Sequence, residues 1–81
     1  MRTKVLIVDD HPAIRTTMKD VLENEGFETE LADSGERALE IYRNNFFDFV
    51  LMDMQMPGLK GVDAFRQMLQ GDKTHARFIF I

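Results

Sequence analysis

Three aspartates follow apolar runs, at positions where their carboxylates could act together on a cation or a phosphoryl group. Asp9 and Asp10 follow the run "VLIV", and Asp53, 43 residues after Asp10, follows "FVLM". Carboxylates held close together repel one another, and a divalent cation removes that conflict. An all-oxygen site suits Mg²⁺ better than Zn²⁺ here, because the chain has no cysteine and only two histidines. A carboxylate is also a nucleophile towards a phosphoryl group, with which it forms an aspartyl phosphate.

The same residues also have simpler structural explanations. An acidic pair such as Asp9-Asp10 after a strand commonly forms a turn or caps a helix. An aspartate that closes a strand shortly before Pro-Gly, as Asp53 does, commonly belongs to the turn. His11, which follows the acidic pair, could tune the site near neutral pH, but we assign it to a loop or capping role. The combination of acids at equivalent ends of two buried strands is what favours a functional site.

The spacing of apolar residues predicts four strands that alternate with three helices. The run Val5–Val8 is continuous and rich in β-branched residues, as in a strand covered on both faces. Residues 27–31 alternate apolar and polar, which indicates a half-exposed strand near a sheet edge. The predicted strands span residues 5–8, 27–31, 47–52 and 77–81, and the phenylalanines at 46, 47 and 49 are predicted core residues. The predicted helices start at Asp10-His11-Pro12, at Asp33 with Glu36 completing a capping box, and near Val62, and they end at Gly26, Asn44-Asn45 and Gly71.

This alternation is typical of an α/β fold with a parallel sheet built from right-handed crossovers. In such sheets ligands bind outside the carboxyl ends of the strands, where the strand order reverses. If the first and third strands are neighbours, Asp9, Asp10 and Asp53 meet at one rim of the sheet. The sequence therefore predicts a binding crevice lined by these carboxylates.

Composition narrows the range of partners. The net charge is −4 and the acids are spread along the chain, so we expect no direct nucleic-acid binding by this segment. The absence of cysteine excludes disulfides and thiolate metal sites and is consistent with a cytoplasmic protein. The apolar runs are far shorter than the roughly 20 residues needed to span a bilayer, and the N-terminus shows no signal peptide, so we expect no membrane association.

The motifs "VLIVDD" and "VLMDMQMPGLKG" together resemble the receiver domain of two-component response regulators, known from bacterial signalling. The resemblance covers residues 1–81 and implies a flavodoxin-like (CheY-like) sheet and phosphorylation by a sensor histidine kinase or phosphotransfer protein. It implies that Asp53 is the phosphoacceptor, that Asp10 binds Mg²⁺ directly and that Asp9 holds metal-bound water. Gln55 matches the residue whose backbone carbonyl binds the metal, and Pro57-Gly58 fit the loop that carries it.

The resemblance is incomplete at the C-terminal end. In the family, the fourth strand ends in Ser or Thr, and a fifth strand ends in a Lys that pairs with the phosphoryl group. The sequence ends at Ile81, so we expect an N-terminal two-thirds of a receiver, without the fifth strand and the last two helices. The run "FIFI" would then be an exposed apolar edge, which invites self-association through the fourth strand.

Three functions are compatible with these residues. The first is a phosphoacceptor receiver, which receives a phosphoryl group and is not an enzyme beyond self-phosphorylation and autodephosphorylation. The second is a catalytically incomplete fragment that acts only as an interaction or self-association module. The third is an enzyme of the haloacid dehalogenase type, which also uses a strand-end Asp and Mg²⁺. That family places a second Asp two residues after its nucleophile, where this chain has Gln55, so the third is disfavoured.

Overall fold

Strands and helices alternate along the chain in the predicted order. A computed structural model describes residues 2–55, 58, 61–70 and 76–81. The elements are β1 (Lys4–Val8), α1 (Pro12–Asn24), β2 (Glu28–Ala32), α2 (Gly35–Asn44), β3 (Phe49–Met52), α3 (Gly61–Gln70) and β4 (Arg77–Phe80). The four strands form one sheet in the order β2-β1-β3-β4, and every neighbouring pair is parallel. The predicted parallel α/β fold is confirmed.

The two strands that precede the aspartates occupy the middle of this sheet. The strand β1 pairs with both β2 and β3, and Val5–Val8 are at most 3% exposed. Its continuous apolar sequence follows from this position, since both faces of a central parallel strand are covered. The alternating strand β2 lies at one edge, as its half-polar pattern predicts.

The main core lies between one face of the sheet and the helices α2 and α3. Because side chains alternate between the two faces of a strand, Leu6 and Val8 of β1 and Val50 and Met52 of β3 all point to this face. The residues that complete the core cluster are Ala32, Ala38, Leu39, Tyr42, Phe47, Ala64 and Met68.

The opposite face of the sheet is covered by α1, which buries much less. The helix packs against β1 and β2, but none of its residues is fully buried. Ile14 and Val21, two apolar residues of this helix, are 45% and 57% exposed. Among the described residues, the two faces of the sheet are therefore covered unequally.

Two local predictions in this part of the chain were wrong in detail, and a third is untested. The strand β3 begins at Phe49 rather than Phe47, because the chain bends at Asp48, whose carboxylate accepts a hydrogen bond from the Lys4 backbone amide. Phe47 is fully buried, but its neighbour Phe46 is 58% exposed and is not a core residue. The predicted end of α3 at Gly71 lies outside the described residues.

The N-cap of α2 is Ser34 and not Asp33. The Ser34 backbone is extended and its hydroxyl oxygen accepts a hydrogen bond from the Arg37 amide at 3.1 Å. This shifts the cap by one residue, so Glu36 lies at the second helical position and does not complete a capping box. None of the helices in the described part of the chain has the length and apolarity that crossing a membrane would require.

Candidate metal centre

Backbone pairing at the ends of β1 and β3 brings two of the aspartates side by side. Val8 and Met52 are partners in the parallel register. The pairing of β3 with β1 continues at the next residue, because the Asp53 amide donates to the Val8 carbonyl at 2.9 Å. On the other side of β1, the Asp9 amide donates to the Ala32 carbonyl of β2 at 3.1 Å. The predicted meeting of these acids at one rim therefore follows from strand register.

The acids form one cluster with an imidazole. Asp9, Asp10, His11 and Asp53 each offer one ligand atom, and these atoms all lie within 4.8 Å of one another. Asp9 is 3% exposed and Asp53 is 8% exposed, whereas Asp10 is half-buried. Burial of charged carboxylates in such proximity is costly unless a cation compensates them.

Two of the carboxylates are oriented by backbone amides two residues ahead. Asp9 Oδ1 accepts a hydrogen bond from the His11 amide at 2.8 Å, and Asp53 Oδ1 accepts one from the Gln55 amide at 2.8 Å. These are turns of the kind that aspartate favours, so the simpler explanation of the motifs is also correct. The turns fix one oxygen of each carboxylate without neutralising either charge.

Asp10 carries a buried oxygen that lacks a hydrogen-bond partner among the described residues. Its Oδ1 atom is shielded from solvent. The His11 Nδ1 atom lies 3.0 Å from that oxygen, at ion-pair distance but outside hydrogen-bonding geometry. A buried oxygen in this situation fits a cation ligand, because a metal ion would satisfy it where no donor does.

His11 is a member of the cluster that our sequence interpretation placed elsewhere. It does occupy the N-cap position of α1, but its side chain makes no capping hydrogen bond. The imidazole Nδ1 instead lies 3.0 Å from Asp9 Oδ1 and 4.0 Å from Asp53 Oδ2. The hydrogen bond with Asp9, aided by the charge of Asp10, raises the pKa of His11 above its ordinary value.

Two further residues shape the rim. Arg15, one turn into α1, donates from Nη1 to the Asp9 carbonyl at 2.8 Å, a contact with no signal in the sequence. Gly61 begins α3 against β3, where an added Cβ would overlap the Asp53 carbonyl oxygen and lie 2.8 Å from Met52 Cγ. The glycine that opens the helix in "MPGLKG" therefore allows α3 to approach the strand end.

The predicted site residues have different outcomes in the structure. Asp9, Asp10 and Asp53 are brought together, and Gln55 lies beside them with its amide bound to Asp53. The metal-ligand roles of all four, including that of the Gln55 carbonyl, remain predictions. Pro57 lies outside the described residues.

Comparison with known proteins identifies the family. The family model described as "Response regulator receiver domain" matches residues 5–81. The chain belongs to the response regulator receiver family. The resemblance read from the two aspartate motifs is thus confirmed.

Individual receiver proteins agree with this assignment. The chain is 40% identical over 68 residues to sporulation initiation phosphotransferase F of Bacillus subtilis, a match that covers 84% of this chain and 55% of that protein. It is 39% identical to the chemotaxis protein CheY of B. subtilis over 98% of this chain and 66% of the relative. The chain thus spans between half and two thirds of the length of these two relatives.

A solved receiver structure confirms the flavodoxin-like, CheY-like fold. The response regulator TrrA from Thermotoga maritima, solved in complex with Mg²⁺-BeF, superimposes with a TM-score of 0.89 and is 35% identical. The match covers 96% of this receiver chain and 67% of TrrA. TrrA has also been solved in complex with the histidine kinase ThkA, and that structure matches with a TM-score of 0.87.

Proposed function

We propose that this receiver accepts a phosphoryl group on Asp53 from a partner sensor histidine kinase or phosphotransfer protein, with Mg²⁺ as cofactor. One observation carries the proposal: carboxylates from the ends of two adjacent central strands lie within 4.8 Å of one another. The Mg²⁺ would be held by Asp9, Asp10 and Asp53, with the Gln55 backbone carbonyl as a further oxygen ligand.

The chemistry assigned to Asp53 is nucleophilic displacement at phosphorus. A carboxylate oxygen forms the new O–P bond, while the bond from phosphorus to the donor breaks and the leaving group keeps its electron pair. The Gln55 amide holds Asp53 Oδ1 in place, which orients the nucleophile before the donor arrives. When bound, the cation supplies positive charge that offsets the charge of the attacking carboxylate and of the phosphoryl oxygens.

The kinase and the cytoplasmic location belong to this proposal. TrrA, which superimposes on this chain, is found in a complex with a histidine kinase, and this supports a partner of the same type. The net charge of −4 supports the proposal that this chain does not itself bind nucleic acid, because contacts with phosphates require an excess of basic residues. Because Asp53 is consumed by the phosphoryl group, the chain is proposed to be a phosphoacceptor and not an enzyme acting on other molecules.

Acetyl phosphate, a small-molecule phosphodonor, tests the phosphoacceptor assignment without a kinase. Incubation of the 81-residue chain with acetyl phosphate and Mg²⁺ should add one phosphoryl group by intact mass, with acetate as the leaving group. Asp53→Asn should remain unmodified, and Asp48→Asn, a change at the other end of the same strand, should be modified like the wild type. Labelling that persists in Asp53→Asn, or a wild type that stays unmodified, would contradict the proposal.

A second candidate function, self-association through β4, is favoured by exposed apolar side chains at that end of the chain. Ile79 is 45% exposed and Ile81 is 52% exposed, and among the described strands β4 pairs only with β3. Exposed apolar edge strands are templates for pairing with another chain. Self-association through β4 is compatible both with a module that acts only by interaction and with a phosphoacceptor receiver that also assembles.

Light scattering after size-exclusion chromatography separates these cases. Self-association predicts a dimer or larger species of the 81-residue chain that Ile79→Lys dissociates. Ile14→Lys, at an equally exposed isoleucine on α1, is the matched control and should not dissociate it. A monomer at high concentration, or equal dissociation by both variants, contradicts pairing through β4.

A further inference from the structure

We infer that His11 gives the cation site a nitrogen ligand, so that the site discriminates in favour of borderline transition ions such as Co²⁺ and Ni²⁺ over Mg²⁺. The inference rests on the proposed metal site and concerns the ion that this site selects. The carboxylates alone make an oxygen site, and the imidazole changes its chemical character.

The distances around His11, which include its hydrogen bond with Asp9, would also allow the ring to share one ion with the acids. Nδ1 lies 3.0 Å from Asp9 Oδ1, 3.0 Å from Asp10 Oδ1 and 4.0 Å from Asp53 Oδ2. Octahedral coordination with bonds of about 2.1 Å places neighbouring ligand atoms about 3.0 Å apart and opposite ones about 4.2 Å apart. Nδ1 therefore lies close enough to the three carboxylates that all of these groups could bind one ion.

The backbone places His11 at this rim of the sheet. His11 precedes Pro12, and a residue before proline is restricted to extended conformations. Its φ of −94° and ψ of 109° agree with this restriction, and its amide is tied to Asp9 Oδ1. The side chain is 61% exposed, and an ion bound at Nδ1 would replace the hydrogen bond that the ring makes with Asp9.

Ligand chemistry gives the inference its measurable consequence. Mg²⁺ favours oxygen ligands and keeps several waters, whereas imidazole suits transition ions. Removing the ring should therefore weaken Co²⁺ binding much more than Mg²⁺ binding. A ring that only orients Asp9 through their hydrogen bond would affect every ion by a similar factor.

Isothermal titration with Co²⁺ and with Mg²⁺ distinguishes the two roles. In His11→Ala we expect the Co²⁺ affinity to fall about tenfold or more and the Mg²⁺ affinity to fall less than about threefold. His75→Ala, which removes the other histidine of the chain, is the control and should resemble the wild type. Equal losses for both ions in His11→Ala would overturn the inference and leave the oxygen site intact.

Pulsed electron paramagnetic resonance of the Mn²⁺-loaded protein provides a direct observation. With ¹⁵N-labelled histidine, the spin-echo modulation should show a nitrogen coupled to Mn²⁺, present in His75→Ala and absent in His11→Ala. Mn²⁺ that binds without nitrogen coupling, or with coupling removed by His75→Ala, overturns the role of His11. Binding of Mg²⁺ and Mn²⁺ that Asp53→Asn does not weaken contradicts the metal site of the proposed function, and with it this inference.

Discussion

The two ends of β3 each carry an aspartate, and their surroundings differ completely. At the amino end, the exposed Asp48 accepts a hydrogen bond from the Lys4 amide at 2.8 Å. Its own amide and carbonyl bond to Lys4 and Arg77, so both main-chain groups are satisfied by neighbouring strands. At the carboxyl end, Asp53 is 8% exposed and lies among other carboxylates.

The neighbours of an aspartate, and not its place beside a strand, determine its role. The cleft around Asp48 also contains Arg2, Lys4 and Glu28, so two cations of the same chain offset the two acids there. Around Asp53 the described charged groups in the cluster are two further acids and one histidine. The aspartate at the amino end of β3 therefore has a structural role, whereas the carboxyl end of β3 is suited to bind a cation from solution.

The largest effect we predict comes from removing the space that lets α3 reach the carboxyl end. Gly61→Ala would place a methyl group into the Asp53 carbonyl and Met52 Cγ, and overpacking of this kind costs about 2–3 kcal/mol. Urea unfolding measures the loss. Gly26→Ala is the control, because its Cβ meets nothing within 4 Å and only the positive φ of 92° is strained. A Gly61→Ala protein as stable as Gly26→Ala would contradict the close approach.

Smaller changes in the free energy of unfolding are expected from substitutions near the two ends of β3, and they should have opposite signs. Without divalent ions, Asp10→Asn should stabilise the protein by about 1 kcal/mol, because it removes repulsion within the cluster. Asp48→Asn should destabilise it by about 1 kcal/mol, because it weakens the hydrogen bond from Lys4. Thermal unfolding in EDTA measures both changes.

The same two variants should also differ in how much Mg²⁺ raises their unfolding temperature. A cation that binds only the folded state raises the unfolding temperature by mass action. We expect this increase in the wild type and in Asp48→Asn, and little of it in Asp10→Asn. An Asp10→Asn protein that is destabilised in EDTA and gains as much from Mg²⁺ as the wild type would show that the two ends do not differ in the proposed way.

The smallest change in stability is expected at an acid that lies at neither end of β3. The Glu23 carboxylate on α1 accepts hydrogen bonds from Thr29 Oγ1 at 2.6 Å and from Lys19 Nζ at 3.1 Å, and these lower the pKa of Glu23, with Thr29 as the larger cause. A carboxylate whose pKa is lowered by folding stabilises the folded state at pH values above its unfolded pKa. That stabilisation is lost as the pH falls through the folded pKa. Glu23→Gln should be slightly less stable than the wild type at pH 7.

Urea unfolding of both proteins at several pH values measures this difference. The difference between Glu23→Gln and the wild type should shrink in acid, below the ordinary glutamate range, and should not depend on Mg²⁺. A difference that grows in acid, or that Mg²⁺ alters, would contradict the assignment of Glu23 to a purely structural contact.

Local sequence patterns were sufficient for the fold and for the positions of the acids. The continuous run Val5–Val8 implies a central parallel strand, and once β1 and β3 are neighbours, strand register alone carries Asp9 and Asp53 to the same rim. These predictions succeeded because they depend on backbone periodicity and topology.

The predictions that failed depend on where single side chains point. Phe46 and Phe47 have the same apolar character, but the loop before β3 can bury only one, and Phe46 is left exposed. The His11 ring turns to the acids, although its position alone suggests a helix cap. Arg15 reaches the Asp9 carbonyl from α1, a contact that requires the packed helix and has no local pattern.

Two-dimensional ¹⁵N NMR during a titration with Mg²⁺ tests whether the cation binds at the carboxyl ends of β1 and β3. We expect saturable shifts of the backbone amide signals of residues 9–11 and 53–55, which lie at those ends. The amides of Lys4 and Asp48, at the amino ends of the same strands, should not move. Shifts of equal size at both ends, or no saturable shift at residues 9–11 and 53–55, would contradict binding at the carboxyl ends.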